Sequence, residues 1–493
     1  MNKSSLLEII RTFTPKELIR FEDFVNSPYF NKNMNVTNLF AEIKKYAPEF
    51  NHENLEKEKV WKKIFPGKEY NYGIMKNLIF DLNKLAEQFL SELTYSKDKF
   101  KQTEYLMNAF FERELKKAYN NNYRSFSPKP DLKVIEENNL QISDHINHVH
   151  RMYLLNFSYQ HQYDQNYKIE DLQIRRDSSL ITGFMIQLFA AFNNIAAFNN
   201  FQKSDLVINP VTKFINAISP EIGSIIESLK DSSELNSTYL SVYYSMYRAI
   251  TECSEEQYLR FKEIVFRNIN VFPKSNLQEL HFNIINVLYV LKLENLNGHK
   301  EVIEILDSLV QQNALEDVKN QKIPLHVFDT YVKNCFALKD TEKLKTFAER
   351  FICKLKPELR DNTTNHVKFM ISFIDKNFEE ALRHLSLLDI PFVTFKISLR
   401  CHKAMCQYET NNHEMFRNEF DNLKHFINNN KNLAEKFKVQ LNTFYSHTKQ
   451  LFDLRENFDE YEFLKLEKNI YDTYKKSIYW FNEKLEEIQK ENS

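Results

Sequence analysis

Of 493 residues only 5 are glycine, about 1% where globular chains carry roughly 7%. No other feature narrows the fold as much. Glycine supplies positive φ and close backbone approach, so phosphate-cradling loops, dinucleotide turns and nucleophile elbows depend on it. β-Hairpins use it freely at their turns. A chain this poor in glycine is expected to be all-α, its helices joined without tight turns. No stretch of convincing length alternates with the period of a strand, which agrees.

Material for a core is ample: 42 phenylalanines and 25 tyrosines sit among 43% hydrophobic residues. Charge gives little direction. The formal net charge is −1, so no global field draws the chain to nucleic acid or anionic lipid. Positions 1–130 carry 22 basic against 17 acidic side chains, and the remainder 44 against 50. Cys253, Cys335, Cys353, Cys401 and Cys406 form an odd set without framework spacing, which reads as reduced thiols in a cytoplasmic protein. Glu8 interrupts the apolar run after Met1, so no signal peptide is expected. Residues 178–202 are uncharged and rich in Ile, Leu and Phe, but Gln187, Asn193, Asn194, Asn199 and Asn200 interrupt them. Amides in hydrocarbon would each need a partner. The expectation is the most buried helix of a soluble protein, with no membrane span.

Punctuation divides the rest. Thr14-Pro15-Lys16-Glu17 has the composition of a capping box with proline at N1. Helices are expected at about 36–46 and 55–65. Another begins near Ile74, where Ile74, Leu78, Leu82, Leu85 and Phe89 share one face, and a long helix runs on to about Asn120. Pro128 and Pro130, among amides and serines, exclude helix there. The expected organisation is an N-terminal helical module (1–120), a linker (121–130), a central helical region (131–284), helical hairpins (285–455) and a C-terminal helix (456–493). Further breaks are expected at Pro210, Pro220, 231–233, Pro273, Gly298, Pro324, Pro357 and Pro391.

The C-terminal half repeats. Gly298, Asp340, Asn377 and Asn412 each occupy a turn-like site before a similar helix start, with an apolar residue four positions on. Their separations are 42, 37 and 35, the length of one helical hairpin that must stack on neighbours to bury its apolar face. Lys376-Asn377-Phe378-Glu379-Glu380-Ala381-Leu382 resembles the inter-helix turn and second-helix start of a tetratricopeptide repeat. The tryptophan and glycine usual earlier in such a repeat are absent, so the hairpins are divergent. Segments 27–31 and 65–70, with the C-terminal half, also resemble a bacterial family of helical proteins. These resemblances imply an α-solenoid of stacked, tetratricopeptide-like hairpins and no activity.

Candidate chemistry is sparse. His145, His148, His150 and His161 do not converge in threes on a helical wheel, as a metal site requires, and read as solvated or hydrogen-bonded histidines. Cys401, His402 and Cys406 read as a helix core with buried thiols. Arg360 with His366 matches the spacing of a helical ribonuclease, but about one such pair arises by chance in a chain of this composition. No cofactor, metal or catalytic residue is expected, and the chain is not expected to be an enzyme. A helix at 74–90 could be a recognition helix, offering Lys76, Asn77, Asn83 and Lys84 beside Asp81 and Glu87; a docking or structural role is the stronger expectation.

One set of residues points to a partner. Lys368 and Lys403 lie nine positions before Asn377 and Asn412, and Asn365 and Arg400 lie twelve before. Stacked hairpins would align Asn365, Lys368, Arg400 and Lys403 as a short positive strip able to grip an acidic peptide or C-terminal carboxylate. The sequence thus points to a non-enzymatic cytoplasmic scaffold that binds a protein or peptide. A nucleic-acid- or ribosome-associated regulator using the mildly basic N-terminal module is the alternative.

Overall fold

A computed structural model describes residues 4–138, 140–163, 169–202, 209–230, 233–291, 297–317, 320–389, 393–429, 435–474 and 479–492. The chain is all-α: among the described residues every regular element is helical and none is a strand. Local rules set many of the starts. At Thr14 both bonds of the capping box form, Glu17 N–H donating to Thr14 Oγ1 (3.2 Å) and Thr14 N–H to Glu17 Oε2 (2.9 Å). Pro15, Pro210 and Pro357 each open a helix, where a missing N–H costs nothing. Pro391 lies outside the described residues.

The connections correct the glycine argument. Phe50, Glu114, Cys253, Asn313, Gln321, Lys339, Lys376 and Asn411 all hold positive φ, with Gly67 the one glycine among the described residues that does, so the chain does make tight left-handed turns and makes most of them without glycine. At Glu114, Asn313, Lys339, Lys376 and Asn411 the turn satisfies carbonyls at the end of the preceding helix, which offsets the strain.

The chain divides into two compact units: Met1–Lys129 with Asn147–Arg176, and Pro130–Ile146 with Asp177–Ser493. In the first, the helices Ser5–Ile10, Pro15–Asn26 and Met34–Lys44 all pack on the helix Tyr72–Tyr95. That helix buries Leu78, Leu82, Leu85 and Phe89 as expected, but Met75 replaces the exposed Ile74 at the start of the stripe. It does not continue to Asn120; Lys99–Glu112 and Lys116–Tyr123 are separate helices. The segment expected as linker is helical to Tyr123, and Phe126 meets Tyr153 edge-on at 5.8 Å.

The long apolar helix Ile169–Gln202, which belongs to the second unit from Asp177 on, is not the most buried one. Met185, Ile186, Leu188 and Phe189 face the core, whereas Leu180, Ile181 and Phe184 are exposed. By length and composition Glu170–Ala197 could cross a bilayer, and only 39% of its apolar window is buried in protein, whereas the core helix of a soluble protein is mostly buried. Asn193 donates to Asn283 at 2.7 Å on a neighbouring helix, which satisfies its Nδ2 but leaves its buried Oδ1 without a hydrogen-bond partner among the described residues. The side chains of Asn199 and Asn200 lie outside the described residues.

Further along, consecutive helices from Lys274–Leu291 to Glu460–Tyr474 pack in succession, and several also pack on the next but one, as Leu325–Ala337 does on Pro357–Ile374. The same turn recurs between them. Lys339 N–H donates to Phe336 O and Asp340 N–H to Cys335 O; Lys376 and Asn377 do so to Phe373 and Ser372, and Asn411 and Asn412 to Tyr408 and Gln407. Each is a Schellman motif with a left-handed Lys or Asn. Asp340, Asn377 and Asn412 then cap the following helices, accepting from Lys343, Glu380 and Met415. At the fourth site the cap is Asn297 rather than Gly298, which is the first helical residue. In the C-terminal segment the described residues form the helices Glu460–Tyr474 and Tyr479–Asn492.

Candidate functional site

The strip expected to bind an acidic partner is already engaged. Arg400 and Lys403 both pair with Glu419, Lys403 at 2.8 Å, and Arg400 stacks over Phe426 at 4.4 Å. Both line an open depression of about 540 Å³ with Glu419 and Phe426. Asn365 Oδ1 lies 3.3 Å from His384 Nδ1. Lys368 is exposed. The common spacing therefore put Arg400 and Lys403 together, but an acidic ligand there would have to displace a carboxylate of the same chain.

A more enclosed cavity of about 470 Å³ lies beside the recurring turns. Its apolar wall comes from four helices: Phe336 on Leu325–Ala337, Phe373 on Pro357–Ile374, Phe378 on Phe378–Ser386, and Ile397, Cys401 and Met405 on Val393–Glu409. Leu441 and Phe444 of Glu435–Glu456, with Tyr474 and Trp480, close it from the other side. A volume of ~300–1,000 Å³ with aromatic walls and a few polar groups is the size and make-up of a ligand pocket.

His402 stands in this wall. Its ring meets Phe336, Phe369 and Phe373 edge-on at 5.4, 5.4 and 5.7 Å, and Nδ1 donates to the Ser398 carbonyl at 2.8 Å. Burial pushes the imidazole down to about 4, only partly opposed by that carbonyl. The ring is neutral at pH 7, and the bond to a carbonyl fixes Nδ1 as the protonated nitrogen. That leaves Nε2 as an acceptor. Cys401 and Cys406 are free thiols; Cys406 is buried, but Cys401 is only half-buried because it faces the cavity. Burial pushes Cys401 up to about 12 and Cys406 higher still, so neither is a thiolate nucleophile.

Charge collects at the cavity rim. Glu483 on Tyr479–Asn492 pairs with Lys376 at 3.1 Å and Lys339 at 3.5 Å. These lysines are the left-handed residues of two successive turns, 37 positions apart. Burial pushes the Glu483 carboxyl up, but the bond from Lys376 and the charges of Lys339, Lys376 and Lys484 prevail and hold it below the ordinary carboxylate value. On the same helix Trp480 Nε1 donates to Glu409 at 2.7 Å, and the buried Lys484 reaches Glu409 (2.9 Å) and Glu487 (2.7 Å). Lys339 and Lys376 directly precede Asp340 and Asn377, so the alignment of turns that singled out the caps also contained them.

Other candidates resolve into structure. His148 is of the hydrogen-bonded kind, buried 2.9 Å from Glu104 and stacked on Phe100. His366 is buried 4.0 Å from Asp329, and Arg360 donates to the Leu355 carbonyl at 3.1 Å. Among the described residues no three His, Cys, Asp or Glu side chains are grouped to hold a metal. Gln407 is buried. In the N-terminal unit Asn83 bonds Ser5 (3.0 Å) and Glu87 (2.7 Å), which engages one of the residues offered for base reading. No protein-family model, curated protein or solved structure matches this chain.

Proposed function

We propose that the chain is a non-enzymatic scaffold or adaptor: an α-solenoid of divergent, tetratricopeptide-like hairpins whose C-terminal array binds a protein or peptide. The observation that carries this is the recurring turn. The same Schellman geometry and the same side-chain cap return at Lys339–Asp340, Lys376–Asn377 and Asn411–Asn412, and the aromatic cavity opens beside two of them. Equivalent turns at near-constant spacing are what stacked hairpins need, and their inner faces offer extended binding surfaces. Five free thiols support a reducing, cytoplasmic setting.

The mildly basic N-terminal unit supports a second reading, a nucleic-acid-associated regulator. On its helix Tyr72–Tyr95 the exposed rings of Phe80 and Tyr72 lie under Lys84 (4.6 Å) and Lys57 (5.2 Å), a pairing of base-stacking and phosphate-binding groups. One experiment separates the two. Affinity capture is run with and without nuclease, at two salt concentrations, on the natural chain and on Phe378→Ser at the cavity wall. The scaffold reading expects a nuclease-resistant partner that Phe378→Ser loses while its melting temperature holds. A partner lost to nuclease, with a steep salt slope, would favour the regulator.

A further inference from the structure

The helix Tyr479–Asn492 meets the rim and wall of the cavity as a bound segment would. Its buried side is Trp480, Phe481, Lys484, Leu485 and Ile488, an apolar stripe at helical spacing interrupted by one ammonium. Phe481 packs 5.1 Å from Phe444 and 5.2 Å from Tyr474. Trp480 is edge-on to Tyr408 at 5.4 Å. The outward side is acidic: the helix holds four glutamates against two lysines. Two features fit recognition better than packing alone. The cavity stays open at about 470 Å³ although the helix is in place, whereas a segment selected only as core would fill it. And its one carboxylate at the rim meets two lysines from equivalent positions of successive turns, a periodic feature of the proposed array.

We infer that this surface recognises an acidic amphipathic helix, with a Trp-Phe anchor and a glutamate held by Lys339 and Lys376, and that Tyr479–Asn492 occupies it in cis. The inference rests on the scaffold reading and names its partner class. Helix-in-groove recognition uses anchors spaced like Trp480, Phe481, Lys484 and Ile488. A tethered occupant sits at an effective concentration of the order of millimolar, so a free helix of the same sequence competes poorly until the tethered one is weakened.

The test uses the full chain and a fluorescein-labelled synthetic peptide of the Tyr479–Asn492 sequence, followed by anisotropy. Emission of Trp480, read on the chain before the peptide is added because the peptide carries the same tryptophan, is the second readout; the chain's other tryptophan, Trp61, lies in the first unit. The natural chain is expected to bind the peptide only near ~1 mM. Glu483→Lys, which sets an ammonium against two others, is expected to bind it at least about tenfold more tightly, with Trp480 emission moving to longer wavelength. In Glu483→Lys with Lys339→Glu and Lys376→Glu the preference is expected to invert, so that a peptide carrying Glu483→Lys competes better than the natural one. This triple variant restores the opposite-charge pairing and so controls for misfolding of the single one. Equal binding of both peptides to every chain, or none to Glu483→Lys up to ~2 mM, overturns the inference. If affinity capture still retains a partner that Phe378→Ser loses, the scaffold reading survives that result.

Discussion

The helices spanning residues 5–95 and those spanning 357–492 both rely on aromatic cores, and they close them differently. In the first region Phe21 touches Phe13, Phe40 and Phe89 with centroids 5.3, 4.8 and 5.2 Å away. None of the buried side chains described there is polar or charged. In the second, Thr363, His366, His384, Gln407, His447 and Lys484 are buried among the rings. Gln407 Oε1 and His447 Nδ1 have no hydrogen-bond partner among the described residues, and the rings of Phe336, Phe373 and Phe378 border open volume. A core made for folding alone gains nothing from unsatisfied polar atoms and unfilled space, since both cost free energy. Of the two, only the open volume belongs to the cavity, since neither Gln407 nor His447 lines it.

The sharpest way to break this contrast is to truncate one ring in each region. Phe21→Ala should lose ~3–5 kcal/mol of stability. Phe373→Ala, whose ring is half-buried and faces the cavity, should lose only ~1–2 kcal/mol. Equal losses in denaturant titrations would mean that the second core is as tightly closed as the first. Next in size is Glu409→Ala, which strips a carboxylate from the buried Lys484 ammonium and from Trp480 Nε1. Leaving a buried charge partly unpaired should cost ~2–4 kcal/mol, and an unchanged melting temperature would show that Glu487 alone suffices.

Acid should act on the second region first. Burial holds His402 down to about 4 and His366 to about 3, each below the unfolded value of ~6.5. Between those values the unfolded chain binds more protons than the folded one, so stability falls as pH drops below ~6.5 and each histidine removes on the order of 2 kcal/mol by pH 5. The carboxyl of Asp329, 4.0 Å from His366 and raised by burial, works in the opposite direction and blunts the loss. Melting followed by Trp480 against Trp61 emission, in Trp→Phe variants of each, should show the Trp480 transition moving further between pH 7 and pH 5. Equal movement of the two would contradict the contrast.

The smallest effects test the recurring turn. Asp340→Ala removes the cap that accepts from Lys343 N–H and should cost ~1 kcal/mol. Lys339→Gly relieves a left-handed side-chain residue at φ 56° and should gain about 0.5 kcal/mol, after allowing for an exposed ion pair of similar size. A destabilised Lys339→Gly would show that the lysine is held there by its pair with Glu483 more than the backbone resists it.

Local signals were readable where one residue determines the outcome. The box at Thr14 and Glu17, the prolines that open helices, the stripe from Leu78 to Phe89 and the caps Asp340, Asn377 and Asn412 all follow from side-chain chemistry acting within four residues. Burial was less legible. The long uncharged helix exposes Leu180, Ile181 and Phe184, because absence of charge says nothing about which side finds a neighbour. The partner strip failed to stand free for a related reason: Glu419 lies 16 and 19 residues beyond Lys403 and Arg400, a separation that helical periodicity does not resolve.

By itself, then, the sequence determined an all-α chain, its helix starts and the spacing of its turns, since propensity, capping and proline sterics operate over one or two turns of helix. How those turns are made without glycine was decided by the helix-end carbonyls they satisfy. The tertiary structure alone placed Tyr479–Asn492 against turns more than a hundred residues earlier, joining Glu483 to Lys376 and Lys339 and Lys484 to Glu409. Ion pairs and ring contacts between such distant segments depend on which apolar faces remain uncovered after the local helices have packed, and that sum is taken over the whole unit rather than over any window of sequence.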